Sequence, residues 1–137
     1  MSPETPSRIV ASGLAELAAG ALSGWAYTLA RTQPELAKRL GIESAARVRQ
    51  WHLDLAMLGT ATIACGLAVP DPPPVAATAL GIGAWTNAMA FLPLAFKPDL
   101  DKHPAYRACA ICSFVATSVG FTGMALAGAR RRRGHSS

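Results

Sequence analysis

Four stretches of the chain, 9–30, 51–70, 75–96 and 108–129, contain no Lys or Arg and only two carboxylates, Glu16 and Asp54. Each is about as long as the roughly 20 residues that carry a helix across the hydrocarbon core of a bilayer. Backbone placed in hydrocarbon must satisfy its own hydrogen bonds, which leaves the helix as the conformation for segments of this length. The pattern predicts an all-α integral membrane four-helix bundle with spans at about 9–30, 51–70, 75–96 and 108–129. No long linker separates them, so residues 1–137 read as a single membrane domain. Composition agrees. The chain is 51% hydrophobic and 15% charged, against about 25% charged in an ordinary soluble domain. These features exclude a soluble enzyme, a disulfide-stapled secreted domain and a nucleic-acid reader.

The net charge of +5 has to be read with the spans in place. The positive residues flank the apolar stretches, and Arg130–Arg133 follow directly after the fourth. Such a cluster stops translocation and anchors a helix end against anionic lipid headgroups, so membrane lipid is the expected partner and nucleic acid is not. Cys65, Cys109 and Cys112 fall inside or at the edge of spans and imply no extracellular disulfide framework. Pro3, Glu4 and Pro6 precede Ile9 without a basic segment, unlike a cleaved signal, so the first span is expected to remain. The expected location is multi-pass in the cytoplasmic membrane. Orientation stays open. The side with the termini carries Arg8 and four C-terminal arginines, whereas 31–50 and 97–107 together carry eight basic residues.

Gly13, Gly20 and Gly24 share one face of the first span, and small residues of this kind let membrane helices approach closely. Small Gly/Ala-rich faces are therefore the expected helix interfaces. Trp25 and Tyr27 suit the headgroup level. The 31–50 connection is amphipathic and predicts a short interfacial helix before span two. Asp71-Pro72-Pro73-Pro74 predicts a tight turn that makes spans two and three an antiparallel hairpin, and Pro93 loosens the end of span three.

Polar groups inside spans are costly and mark candidate sites. Glu16 is expected to be neutral or paired within the bundle. His52 starts span two, followed along its own face by Ala56 and Gly59, so a flat slot beside the imidazole is one expectation. A planar macrocycle bound through its iron needs that shape, and neutral imidazole is a common axial ligand. A headgroup or helix–helix contact is the other reading of the same histidine. If a slot exists, Gly59→Leu obstructs it while sparing the ligand. Asp54, roughly 200° further round the helix, cannot share the His52 face. Asn87 is a candidate partner for Asp54 or for a bound molecule. Cys109-Ala110-Ile111-Cys112 is similar to the CxxC of quinone-coupled disulfide oxidases. The second cysteine pair that those enzymes need in a loop is missing, so the thiols read as small packing residues.

The run His52-Leu53-Asp54-Leu55-Ala56-Met57-Leu58-Gly59 resembles the second-span signature of the hydroxylaminobenzene mutase and styrene oxide isomerase group. Trp85-Thr86-Asn87 is similar to the group's Trp-x-Asn. Ser12-Gly13-Leu14 with Gly20 through Gly24 resembles its first-span opening and Gly-x-x-x-Gly close. The resemblance covers all four spans. It implies a homotrimer with haem b at its interfaces, His52 as metal ligand and cofactor-binding residue, and Ala56 and Gly59 beside it. It further implies isomerisation of a small lipophilic aromatic substrate, an aryl epoxide or hydroxylaminoarene, by iron acting as a Lewis acid. Asp54 and Asn87 remain as candidate catalytic residues. The chain departs from the group at Ser12, Leu58, Gly83 and Phe91, where polar family positions have been replaced.

Overall fold

The computed structural model describes residues 7–134, and the N-terminal positions Pro3, Glu4 and Pro6 lie outside them. The described residues are helical throughout: α1 (Arg8–Thr32), α2 (Pro34–Arg39), α3 (Ala45–Ala68), α4 (Pro74–Met89), α5 (Phe91–Phe96), a 3-10 turn (Pro98–Lys102) and α6 (Pro104–Gly134). The boundaries follow local chemistry. Ser7 caps α1 by accepting from the Val10 amide, and Ser44 caps α3 by accepting from the Arg47 amide. Pro34, Pro74 and Pro104 each stand at the first position of a helix, where a missing N–H costs nothing. Gly41 has φ +84°, a conformation that side chains avoid, and it turns the chain between α2 and α3.

Three of the helical segments, 8–32, 74–96 and 104–134, are long and apolar enough to cross a membrane. The third of the expected spans is broken where Pro93 removes a backbone donor, which divides it into α4 and α5. The Tyr106 hydroxyl donates to the Ala90 carbonyl at this break. The expected second span, 51–70, corresponds to α3, which begins at Ala45, six residues before Trp51, ends at Ala68 and is not among these three segments. The Ser44 cap starts that helix in the polar region, and Arg47, Arg49, His52 and Asp54 then lower its apolar character. α6 also runs beyond 108–129 at both ends, because nothing after Pro104 or before Gly134 interrupts it.

The long helical segments α1, α3, α4–α5 and α6 run alternately up and down, with the two polar connections at the same end. The Glu43 and Ser44 amides both donate to the Ala95 carbonyl, at 2.8 and 3.1 Å. Arg47 lies 3.9 Å from Asp101 across the same gap. The intimate pairs are α1 with α3 and α4 with α6, whereas the consecutive α3 and α4 touch less extensively. The hairpin expected from the proline turn is therefore present in the chain path but is not the main packing unit. At the opposite end, Ile9, Val10, Val69, Ala76, Leu80 and Met124 form the buried apolar cluster that joins the two pairs.

Candidate functional site

α1 and α3 meet through small residues on both helices. A Cβ built on Gly20 would stand 2.9 Å from the Ala56 amide nitrogen, and one on Gly59 would stand 2.6 Å from that of Leu17. Absent side chains thus bring the two backbones together, and this closeness positions His52. Its Nδ1 lies 2.8 Å from the Gly20 carbonyl oxygen and 3.1 Å from Ser23 Oγ. Ser23 Oγ itself donates to the same carbonyl at 2.7 Å. A carbonyl oxygen only accepts, so Nδ1 carries the proton. In the neutral ring Nε2 then keeps its lone pair, and among the described residues it meets no hydrogen-bond partner. Tyr27 stacks against the imidazole, with centroids 6.0 Å apart and planes 19° apart. Gly24 makes room for the ring, since a Cβ there would lie 3.2 Å from His52 Cε1.

The flat slot expected at Ala56 and Gly59 is occupied by α1. Both residues press against its backbone, so neither offers a surface for a macrocycle within one chain. The expected bond between Asp54 and Asn87 is also absent among the described residues. Each is half-buried and neither side chain finds a hydrogen-bond partner there. The structure instead joins two other positions of the sequence motifs: Trp85 Nε1 donates to Ser12 Oγ at 3.1 Å, tying α4 to α1. Ser23, Tyr27 and the Gly20 carbonyl are the partners of His52 that the sequence reading did not single out. Their signal was their place on the glycine-rich face of the first span.

A cavity of about 560 Å³ lies between α4 and α6. Ile82, Thr86, Met89, Tyr106, Cys109 and Cys112 line part of it, and no residue of α1 or α3 contributes. Thr86 and Ser113 hydrogen-bond at 2.7 Å on its wall. Both cysteines are exposed there and sit away from the His52 centre. No group of three or more His, Cys, Asp or Glu side chains that could hold a metal ion occurs among the described residues. No family model matches the chain, and no curated protein or solved structure matches it.

Proposed function

We propose that the chain is a four-span protein of the cytoplasmic membrane that isomerises small lipophilic aromatic molecules with haem b held through His52. One observation carries the reading: Nδ1 is committed to the Gly20 carbonyl, which leaves the Nε2 lone pair for iron. A ligating histidine characteristically donates its other N–H to a carbonyl or carboxylate, which fixes tautomer and ring direction. The donor fits the group; Ala56 and Gly59 do not fit as its cradle, so a second copy of the chain in a homotrimer is proposed to complete the surface. When bound, haem supplies Lewis-acid iron for the oxygen of an aryl epoxide or hydroxylaminoarene. Ser23 and Gly20 hold the imidazole, and Tyr27 limits its rotation. Asp54 and Asn87 are half-buried and unpartnered; Asp54, on the other face of α3 from His52, would orient substrate held at a neighbouring copy of the trimer, and Asn87 is the second candidate for that role.

In this reading α3 crosses the bilayer beside α1, with His52 and Asp54 near the interface. Reporter fusions after residues 42 and 72 are expected on opposite sides of the membrane. The same side for both would make α3 a surface helix and remove the four-span topology.

The cofactor is tested by absorption. The detergent-purified protein is expected to show a Soret band, and His52→Ala to abolish it without loss of helicity. Cys109→Ser and Cys112→Ser serve as controls that leave the band unchanged, because α6 does not reach His52. Turnover of an aryl epoxide or hydroxylaminoarene then separates an enzyme from a protein that only carries haem. A second reading has its own observation. The hydrogen bonds from His52 to α1 also make it a structural clasp between two closely packed helices. A wild-type protein with no Soret band selects the clasp, and a full band in His52→Ala moves the ligand elsewhere.

A further inference from the structure

Two side chains in the interior are fully buried, each with 0% exposure, and carry polar atoms that no protein group satisfies: Glu16 at both carboxyl oxygens and Thr62 at its hydroxyl. Among the described helical threonines Thr62 is the one that is fully buried, whereas Thr78 and Thr122, which also lack a bond to the preceding turn, are exposed to the surroundings. Thr28, Thr32, Thr60, Thr86 and Thr117 each donate to the carbonyl four residues earlier. The Thr62 hydroxyl forgoes that bond and is left inside the bundle.

The packing register brings the two together. A Cβ on Gly13 would meet the Ile63 amide nitrogen at 2.9 Å, and one on Gly59 would meet that of Leu17 at 2.6 Å. The contacts are reciprocal, as a local two-fold between antiparallel helices requires. Glu16 follows Gly13 by three residues and precedes Leu17; Thr62 follows Gly59 by three and precedes Ile63. Equivalent positions in such a pair lie on the same side of the seam. That side faces α4, because Ser12, one turn before Glu16 on the same face, receives the Trp85 N–H.

A carboxylate at this depth needs a cation, and the surroundings contain none. On α1 itself the charged residues are Arg8 and Arg31 near its two ends. α2 brings Glu35, Lys38 and Arg39 only at the far end of α1. On α3 the titratable groups are Arg47, Arg49, His52, Asp54 and Cys65, and His52 is turned to Gly20. α4 and α5 have no titratable residue, and α6 has none between Cys112 and Arg130. A proton is the remaining neutralising cation. The two Glu16 oxygens and the Thr62 hydroxyl, unpartnered on the same side of the seam, supply enough partners for one buried water, which needs two to four.

We propose that Glu16 and Thr62 form a buried proton-binding site, in which the protonated carboxyl and the threonine hydroxyl share one internal water molecule. The site is independent of the haem reading, and its test uses the chain as purified. Infrared spectra in detergent at neutral pH are expected to contain a protonated-carboxyl band that disappears in Glu16→Gln. The band shifts towards the free-carboxyl position in Thr62→Val and returns in Thr62→Ser, which restores the hydroxyl. Exchange into heavy-oxygen water shifts a sharp water O–H band that both Glu16→Gln and Thr62→Val lack. A carboxyl band indifferent to Thr62→Val overturns the shared site. Loss of the oxygen-sensitive water band from the wild type overturns the water. The near-isosteric Thr62→Val and Thr62→Ser keep the test decisive if Glu16→Gln fails to fold.

Discussion

Gly59→Leu is expected to separate α1 from α3 and to yield little folded protein. The Cβ alone would lie 2.6 Å from the Leu17 amide nitrogen and 2.9 Å from the Gly13 carbonyl oxygen, both backbone atoms. Neither can move aside as a flexible side chain does. Overpacking a well-filled interior typically costs about 1–3 kcal/mol, and a leucine driven into a backbone seam belongs at or above the top of that range. Gly59→Ala should already lower the melting temperature. Gly81→Ala is the matched control, since its Cβ would meet only Ile9 Cδ1 at 3.6 Å. Thermal unfolding followed by circular dichroism in detergent compares the three. A Gly59→Leu protein that melts with the parent would mean that α1 and α3 do not pack through this face. The sequence expectation is that this substitution blocks a cofactor slot while the His52 ligand remains. The seam reverses it: any loss of bound haem in Gly59→Leu follows loss of the helix pair.

The helical class was legible because four stretches lack Lys and Arg, and hydrocarbon tolerates little else. The boundaries were less so. Ser44 starts α3 in the polar region, and no bilayer boundary forces a helix to begin where charges end. The pairing of α1 with α3 was not legible, because a tight proline turn in 71–74 makes α3 and α4 neighbours in sequence whatever their contact area. Ala56 and Gly59 show the deeper ambiguity. A face of small residues is flat, and flatness suits a planar ligand and another helix equally well. Only the position of α1 decides between them, and that depends on Gly13 and Gly20 forty residues or so earlier in the chain. Candidate-site chemistry followed the same pattern. His52 was visible as an ionisable residue at a span end, but its tautomer depends on a carbonyl at Gly20, and no side-chain motif records a carbonyl.

The second seam is expected to fail as sharply under Gly120→Val. A Cβ on Gly120 would stand 2.5 Å from both the amide nitrogen and the Cα of Leu80, and one on Gly83 would stand 2.5 Å from the Thr117 amide nitrogen. At these glycines the backbones of α4 and α6 meet directly, and Leu80 is itself fully buried in the cluster that joins the two helix pairs. Lipid gives apolar helices no hydrophobic reason to associate, so this pair depends on van der Waals contact and on the Thr86–Ser113 hydrogen bond of 2.7 Å. Both are lost when a branched side chain forces the helices apart. The cost again falls at the top of the roughly 1–3 kcal/mol range for overpacking. β-Branching itself contributes little here, because valine is accommodated well enough in a helix whose neighbours leave space. Gly128→Val tests that point, since the nearest atom to its Cβ would be Val69 Cγ2 at 3.6 Å. Gly120→Val should therefore melt well below Gly128→Val. Equal melting temperatures for the two would show that α4 and α6 are held together by something other than the glycine seam.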